Sequence, residues 1–125
     1  MLTRVVLLSF SKIAVSCLYT RIHTHTFYLQ FLEFGEEVCS KLRTEGYWAD
    51  YIDPCSGLPM LTKSCNKVYS EVDGMECLLN YRAYNAGFCK VLTHPKWGSA
   101  VYPATIFCHA PRETVARVLH SQYII

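Results

Sequence analysis

The sequence has 125 residues and a net charge of +2, and about half of its residues are hydrophobic. This length allows one folded domain rather than two, and the apolar content excludes a largely disordered chain. The basic residues are scattered rather than clustered, which excludes the continuous basic surface typical of nucleic-acid binding.

The seven cysteines are an odd number, and neighbouring ones stand at least ten residues apart. This spacing lacks the close CxxC pairs of a zinc site. We expect most of them to be reduced and buried, and to pack as small hydrophobic side chains. Their number also allows a disulfide framework that leaves one thiol over.

The first 26 residues contain three basic residues and no acidic residue. This composition fits a mitochondrial presequence, whereas a secretory signal fits less well because Lys12 interrupts the apolar stretch. An irregular N-terminus is the third interpretation. The segment is too short and too interrupted to span a bilayer. His23 and His25 have no third metal ligand close in sequence, so they do not indicate a metal site.

Residues 27–45 carry apolar side chains at a spacing of three or four, which predicts an amphipathic core helix. The apolar stripe consists of Phe27, Phe31, Phe34, Val38 and Leu42. Gly46 is expected to end the helix in a C-cap. Gly35 lies within the helix, where glycine is unfavourable, so we expect it to mark a close packing contact.

Residues 47–52 are rich in aromatic side chains and predict a strand, and Asp53-Pro54 predicts a turn directly after it. Asp50 shares one face of this strand with Trp48 and Ile52. We expect its carboxylate to accept hydrogen bonds from backbone groups in the turn rather than to act as an acid or a base.

The pattern between residues 60 and 86 is weaker. Residues 66–72 alternate like a strand that stops at a turn at Asp73-Gly74. Residues 75–87 then suggest a short helix that is closed by Asn85 or Gly87.

Residues 88–93 and 99–107 predict two strands that form an antiparallel hairpin with each other. Pro103 cannot donate to a ladder of hydrogen bonds, so it predicts an edge or bulge position. Residues 111–121 predict a final helix with Pro111 in its first turn. The element order indicates an α+β fold.

No standard catalytic motif is present: GxSxG, GxxxxGK[ST], GxGxxG and HExxH are all absent. Candidate groups occur only singly, and no spacing ties one to another. They are Asp50, Asp53, Cys89, His94 and His109. The residues alone therefore indicate a small α+β domain without a recognisable active site.

Two stretches carry a resemblance to a known family. The first is "EEVCSKLRTEGYWADYIDPCSGLP" and the second is "AGFCKVLTHPKWGSAV". Both resemble the CblD family of cobalamin trafficking proteins, which has "EGYWADFIDPSSGL" and a "GCCKV…H…WG" hairpin at these places. The resemblance covers residues 27–120, with 1–26 as an unmatched segment and 121–125 as a tail. The first stretch is long and rich in rare residue types, so chance is a poor explanation.

The resemblance implies an α+β scaffold similar to the nitroreductase fold, of which this chain carries the C-terminal portion. It implies a non-enzymatic adaptor that binds the cobalamin-processing protein CblC. Such an adaptor helps to route cobalamin to methionine synthase in the cytosol and methylmalonyl-CoA mutase in mitochondria. Cobalamin is then held together with the partner, and no flavin is expected. The family domain also begins with strands that residues 1–26 do not resemble, so we expect an exposed sheet edge.

The family further implies a cysteine thiolate that coordinates cobalt, and here the sequence departs from the pattern. The family ligand is the first cysteine of Gly-Cys-Cys-Lys, and Phe88 stands at that position. Cys89 matches the second cysteine. Because neighbouring strand residues point to opposite faces, Cys89 is a candidate ligand only with a bulge or register shift. Otherwise it is a buried core thiol.

Aromatic and acidic residues near these motifs are candidates for a partner surface: Tyr47, Trp48, Asp50 and Trp97. Two other functions compete with the adaptor. A flavin-dependent reductase on the same kind of scaffold predicts a yellow purified protein. A secreted, disulfide-rich binding protein predicts no free thiol beyond the odd one.

Overall fold

The computed structural model describes the backbone of residues 4–11, 17–87, 89–95 and 101–122. Side chains are described for residues 26–85, 87, 92–95 and 104–120. The elements in chain order are β1 (Arg4–Ser11), α1 (Cys17–Thr44), β2 (Ala49–Tyr51), α2 (Glu71–Leu79), β3 (Arg82–Ala86), β4 (Cys89–Thr93), β5 (Val101–Cys108) and α3 (Arg112–Gln122). The mixture of helices with small antiparallel sheets confirms the predicted α+β class. No helix in these ranges is long and apolar enough to cross a membrane.

The main sheet has three strands in the order β1-β5-β2, and both pairs are antiparallel. β1 pairs along the whole of β5, whereas β2 pairs only with the end of β5, from Ile106 to Cys108. Pro103 pairs with Ser9 on β1 and lies beyond the end of β2. One side of β5 is therefore locally an edge at Pro103, as the missing amide hydrogen requires.

Residues 1–26, the unmatched segment of the sequence, contain a strand and the beginning of a helix. β1 lies within residues 1–26, and α1 begins at Cys17 rather than at Phe27. β1 covers one side of β5, so that side of the central strand is not exposed. Whether residues 1–26 direct the chain to an organelle stays a prediction.

The predicted hairpin of residues 88–93 with 99–107 is wrong. β4 pairs with β3, from Arg82 opposite Thr93 to Ala86 opposite Cys89, and β5 belongs to the other sheet. Only residues 87 and 88 link β3 to β4, and Gly87 has a φ of +65°. Two-residue hairpin loops favour such a positive φ, so this local turn outcompetes the longer connection.

The predictions for residues 66–87 are also wrong in part. Residues 66–70 form no strand, and Asp73-Gly74 lies in the first turn of α2. Ser70 is the N-cap, because its hydroxyl accepts a hydrogen bond from the backbone N–H of Asp73. α2 ends at Asn80, whose φ of +58° breaks the helix, and β3 occupies the place of the expected helix end.

α1 packs its predicted stripe against one face of the main sheet, and α3 packs beside it. Four of the five stripe residues are buried, and Phe27 is half-buried. Each fully buried side chain of this size contributes about 1.5–3 kcal/mol to folding. The core residues are Phe31, Phe34, Val38, Cys39, Leu42, Ala49, Tyr51, Ala104, Ile106, Cys108, Ala110, Val115 and Val118.

Two glycine predictions for α1 are confirmed. Gly46 ends the helix with a φ of +93°, and the backbone N–H of Tyr47 donates to the carbonyl of Leu42. This is a Schellman cap. A Cβ on Gly35 would lie 2.7 Å from Cδ2 of Tyr51, so the absence of a side chain lets β2 approach the helix.

The second face of the main sheet is covered by the segment between β2 and α2 and by α2 itself. Side chains alternate along β5, so Thr105 and Phe107 point away from α1. The ring of Tyr69 packs edge-on against Phe107, with centroids 5.0 Å apart. Asp50 pairs with Phe107 in the sheet and so lies on this face as well. The candidate site is built here.

Candidate functional site

Asp50 is a buried carboxylate within the motif at residues 45–59, and it holds a neighbouring loop in place. Its side chain is 1% exposed. The carboxylate accepts hydrogen bonds from the backbone N–H of Leu61 and Thr62, both at 2.9 Å, and from the Thr62 hydroxyl at 2.5 Å. The N–H of Tyr51 is a fourth donor, at 2.8 Å.

These contacts confirm that Asp50 binds backbone groups. They lie in the loop at residues 61–62, however, and not in the Asp53-Pro54 turn where the sequence suggested them. A carboxylate that accepts four hydrogen bonds from its own chain serves here to position the loop at residues 61–62. Any contribution of Asp50 to a partner surface is indirect, through the loop that it positions.

The turn after β2 is organised by a second carboxylate, that of Asp53. It accepts from the backbone N–H of Cys55 at 3.0 Å and from the Ser56 hydroxyl at 2.9 Å. The carbonyl of Asp53 accepts from the N–H of Gly57 at 2.8 Å. Although burial opposes its ionisation, these bonds and one from Tyr28 lower the pKa of Asp53. Burial and the same contact raise the pKa of Tyr28 to about 12.

The four partner-surface candidates lie in different environments. Trp48 is 44% exposed, and its ring packs against His109 at a centroid distance of 5.5 Å. Tyr47 is half-buried against the core. Asp50 lies in the interior, and Trp97 lies outside the described residues. Of the three candidates that the structure describes, only Trp48 therefore has an exposed side chain, and Tyr47 is partly covered by the core.

The predicted cobalt-ligand positions lie at the turn end of the β3–β4 hairpin. Cys89 is the first residue of β4 and pairs with Ala86. The side chain of Cys89, and Phe88 as a whole, lie outside the described residues. Cobalt coordination at either position therefore stays a prediction. Among the described residues, no group of three His, Cys, Asp or Glu side chains could hold a metal ion.

Sequence reasoning missed an apolar surface at the other end of this hairpin. Leu78 is 58% exposed, Tyr84 is 53% exposed and Leu79 is 37% exposed. Leu79 and Tyr84 border a depression of about 540 Å³, whose other lining residues are Asn80, Arg82, Thr93, His94 and Pro95. Exposed clusters of large apolar side chains often mark protein–protein contacts. The signal was the "CLLNYRAY" stretch, which was interpreted as one continuous helix.

The thiols only partly match the expectation of buried cysteines. The five cysteines whose side chains the structure describes are all free, and Cys39 and Cys108 are buried as predicted. Cys55 and Cys77 are exposed, and Cys65 is half-buried, so the prediction is wrong for these three. Exposure follows from their places in a loop or on the outer side of α2. Burial, and then the nearby Asp50 charge, raise the pKa of Cys39 to about 12.

Comparison with known proteins agrees with the resemblance seen in the motifs. The family model of the methylmalonic aciduria and homocystinuria type D protein matches residues 17–119. The match thus starts where α1 starts.

Curated relatives carry the name cobalamin trafficking protein CblD. The human protein is 40% identical over 81 residues, which is 65% of this chain and 27% of the relative. The rat protein is 38% identical over 85 residues, or 68% of this chain and 29% of the relative. The chicken protein is 36% identical over 90 residues, which is 71% of this chain and 30% of the relative. The chain therefore matches less than a third of the length of these relatives.

Proposed function

We propose a role in cobalamin trafficking for this chain, because it belongs to the methylmalonic aciduria and homocystinuria type D protein family. The family match over residues 17–119 is the observation that carries the proposal. The role we propose is that of a non-enzymatic adaptor which binds the cobalamin-processing protein CblC. It then helps to pass cobalamin to methionine synthase in the cytosol and to methylmalonyl-CoA mutase in mitochondria.

Two surfaces support an adaptor role. Trp48, which is 44% exposed beside His109, presents a large aromatic side chain of the kind that anchors interfaces, and the loop that Asp50 fixes at residues 61–62 is held rigidly. The apolar surface formed by Leu78, Leu79 and Tyr84 is the second. A rigid loop and an exposed apolar cluster reduce the ordering cost of binding a partner.

Cobalamin itself is expected to contact the chain only in the complex with CblC. A cysteine thiolate is a suitable soft ligand for cobalt, and protonation of the thiol weakens it. In this chain Cys89 is the candidate for that contact, because phenylalanine at position 88 has no donor atom. The Ala86–Cys89 pair is the one next to the turn, where a bulge disturbs the fewest hydrogen bonds of the ladder.

Because the proposed role spans the cytosol and mitochondria, residues 1–26 matter as a candidate targeting segment. We propose that the segment serves as a mitochondrial presequence in part of the population. A processed form that lost the segment would also lose β1 from the main sheet. The cytosolic and mitochondrial forms would then differ in how β5 is covered.

Co-elution with CblC tests the adaptor role. The purified chain is mixed with cobalamin-loaded CblC under reducing conditions and run on size exclusion with visible absorbance. We expect a joint peak that Leu78→Asp abolishes and that Val68→Asp, a control at an apolar residue 70% exposed, leaves intact. No joint peak from a folded chain would contradict the proposal. Flavin absorbance of the chain alone would instead favour the reductase.

The spectrum of the joint peak tests cobalt coordination separately. A shift of the cobalamin bands that Cys89→Ser reverses, and that Cys77→Ser does not, would establish Cys89 as the ligand. Cys77 is a suitable control because its thiol is free and exposed. A joint peak without a shift would leave an adaptor that binds CblC without coordinating cobalt.

A further inference from the structure

At the contact between α2 and β5, two buried side-chain oxygen atoms have no hydrogen-bond partner within the described part of the chain. They are Oε1 of Glu71 and Oγ1 of Thr105. Glu71 is the first residue of α2, and Thr105 is a fully buried residue of the central strand β5. Unpaired polar atoms in the interior are rare because each has lost its water without a replacement. Two of them at one helix–strand contact call for a physical explanation.

The surroundings of Glu71 disfavour its negative charge. Burial, together with the nearby Asp53 carboxylate, raises the pKa of Glu71 to about 7, although the hydroxyl and backbone of Thr105 act in the opposite direction. Tyr69 is the other titratable group close by, and its own pKa is raised by burial and by the Glu71 charge. The N-terminal end of α2 favours an anion, but this effect is too small to offset burial. No described lysine or arginine compensates Glu71.

We propose that Glu71 is a proton-operated latch between α2 and β5. In the protonated state its carboxylic acid O–H donates to Oγ1 of Thr105, so that both unpaired atoms gain a partner. In the ionised state the Thr105 hydroxyl donates to the carboxylate instead, but the negative charge is then buried and lies near that of Asp53, so the first turn of α2 is held less firmly on the sheet. The proton comes from and returns to solvent, and no other group is consumed.

The latch connects pH to the hairpin that carries Cys89. Only Asn80 and Tyr81 separate α2 from β3, so a looser α2 also loosens the attachment of the β3–β4 hairpin. A folded-state pKa above the ordinary value of 4.5 means that the folded chain binds the proton more tightly than the unfolded chain. The stabilisation is therefore complete below pH 4.5 and is lost as the pH rises through about 7. This regulation goes beyond the trafficking role and does not depend on it.

Carbon-13 NMR of the carboxyl groups in the intact chain tests the latch directly. The Glu71 resonance, assigned by its loss in Glu71→Gln, is expected to titrate with a midpoint near 7. A midpoint near the ordinary 4.5 would overturn the proposal, and this readout needs only folded wild-type protein.

The pH dependence of unfolding in urea is the second test. Between pH 4.5 and 8, the folding equilibrium constant of the wild type is expected to fall relative to that of Glu71→Gln by up to ~300-fold. Glutamine keeps an N–H donor for Thr105 and cannot ionise, so that variant should lack this loss. Glu76→Gln is the matched control, because Glu76 is exposed on the same helix, and it should follow the wild type. Parallel pH curves for Glu71→Gln and wild type would refute the latch.

Discussion

Replacing Asp50 with asparagine tests whether this buried carboxylate holds the loop at residues 61–62 through its charge. The substitution keeps the size of the side chain but puts an amide NH2 where one carboxylate oxygen now accepts. In the structure, Oδ2 accepts from both the N–H and the hydroxyl of Thr62. An amide NH2 there faces the Thr62 N–H donor and cannot pair with it. Oδ1 still accepts from Leu61, but as a neutral group.

The magnitude follows from counting these changes. One buried donor left unpaired costs about 1–3 kcal/mol, and a charge-assisted bond that becomes neutral loses about 1 kcal/mol more. We expect Asp50→Asn to lower the free energy of unfolding by about 2–4 kcal/mol. That is a large fraction of the roughly 5–15 kcal/mol of a typical domain.

Urea denaturation followed by far-UV circular dichroism measures the difference, with Asp53→Asn as the control. Asp53 also accepts backbone and hydroxyl hydrogen bonds, but its turn is open to water. Solvent can replace those bonds, so the control should lose less than about 1 kcal/mol. A loss for Asp50→Asn within about 0.5 kcal/mol of zero, the range of neutral surface substitutions, would refute the reasoning.

Two further predictions concern packing and thiol access. Gly35→Ala should lower the free energy of unfolding by about 1–3 kcal/mol, because its Cβ would meet the Tyr51 ring at 2.7 Å, whereas Ser40→Ala on the exposed side of α1 should not. Thermal unfolding checks this, and an unchanged Tm for Gly35→Ala would mean that β2 moves away freely. In native protein, a thiol reagent should modify Cys55 and Cys77 at least tenfold faster than Cys39, which is buried and hard to ionise. Mass spectrometry of peptides reads out the order, and equal rates would contradict the burial of Cys39.

The sequence predicted best where one local pattern determines the element. The apolar stripe of α1 and the cap at Gly46 are local features, and both agree with the structure. α3 also lies where its valines and Pro111 predict it, with Val115 and Val118 buried. Such elements need no knowledge of the distant chain.

The predictions were wrong where the sequence was compatible with more than one local structure. Gly74 looked like a turn residue, but it lies in α2, where the lack of a side chain makes room for the Tyr69 hydroxyl. β4 was able to pair with β3 through a two-residue turn or with β5 through a longer loop, and alternation of side chains alone does not decide between them. The sequence predicted that Asp50 accepts hydrogen bonds from backbone groups, but not that these groups belong to residues 61 and 62, because that loop has no sequence pattern of its own. Glu71 gave no signal, since its burial depends on how α2 packs on β5.

The pairing of β1 with β5 has a consequence for how the chain reaches its fold on the ribosome. Ser11 pairs with Val101, so β1, the first of the described strands to be synthesised, must wait for β5, the last of them. At about 5–20 residues per second, the roughly 90 intervening residues take ~5–20 s to emerge. During that time the apolar β1 sequence has no strand partner from its own main sheet, while α1 can already form. Contacts between residues so far apart in the sequence slow folding. Until β5 has been synthesised, β1 remains accessible to a chaperone.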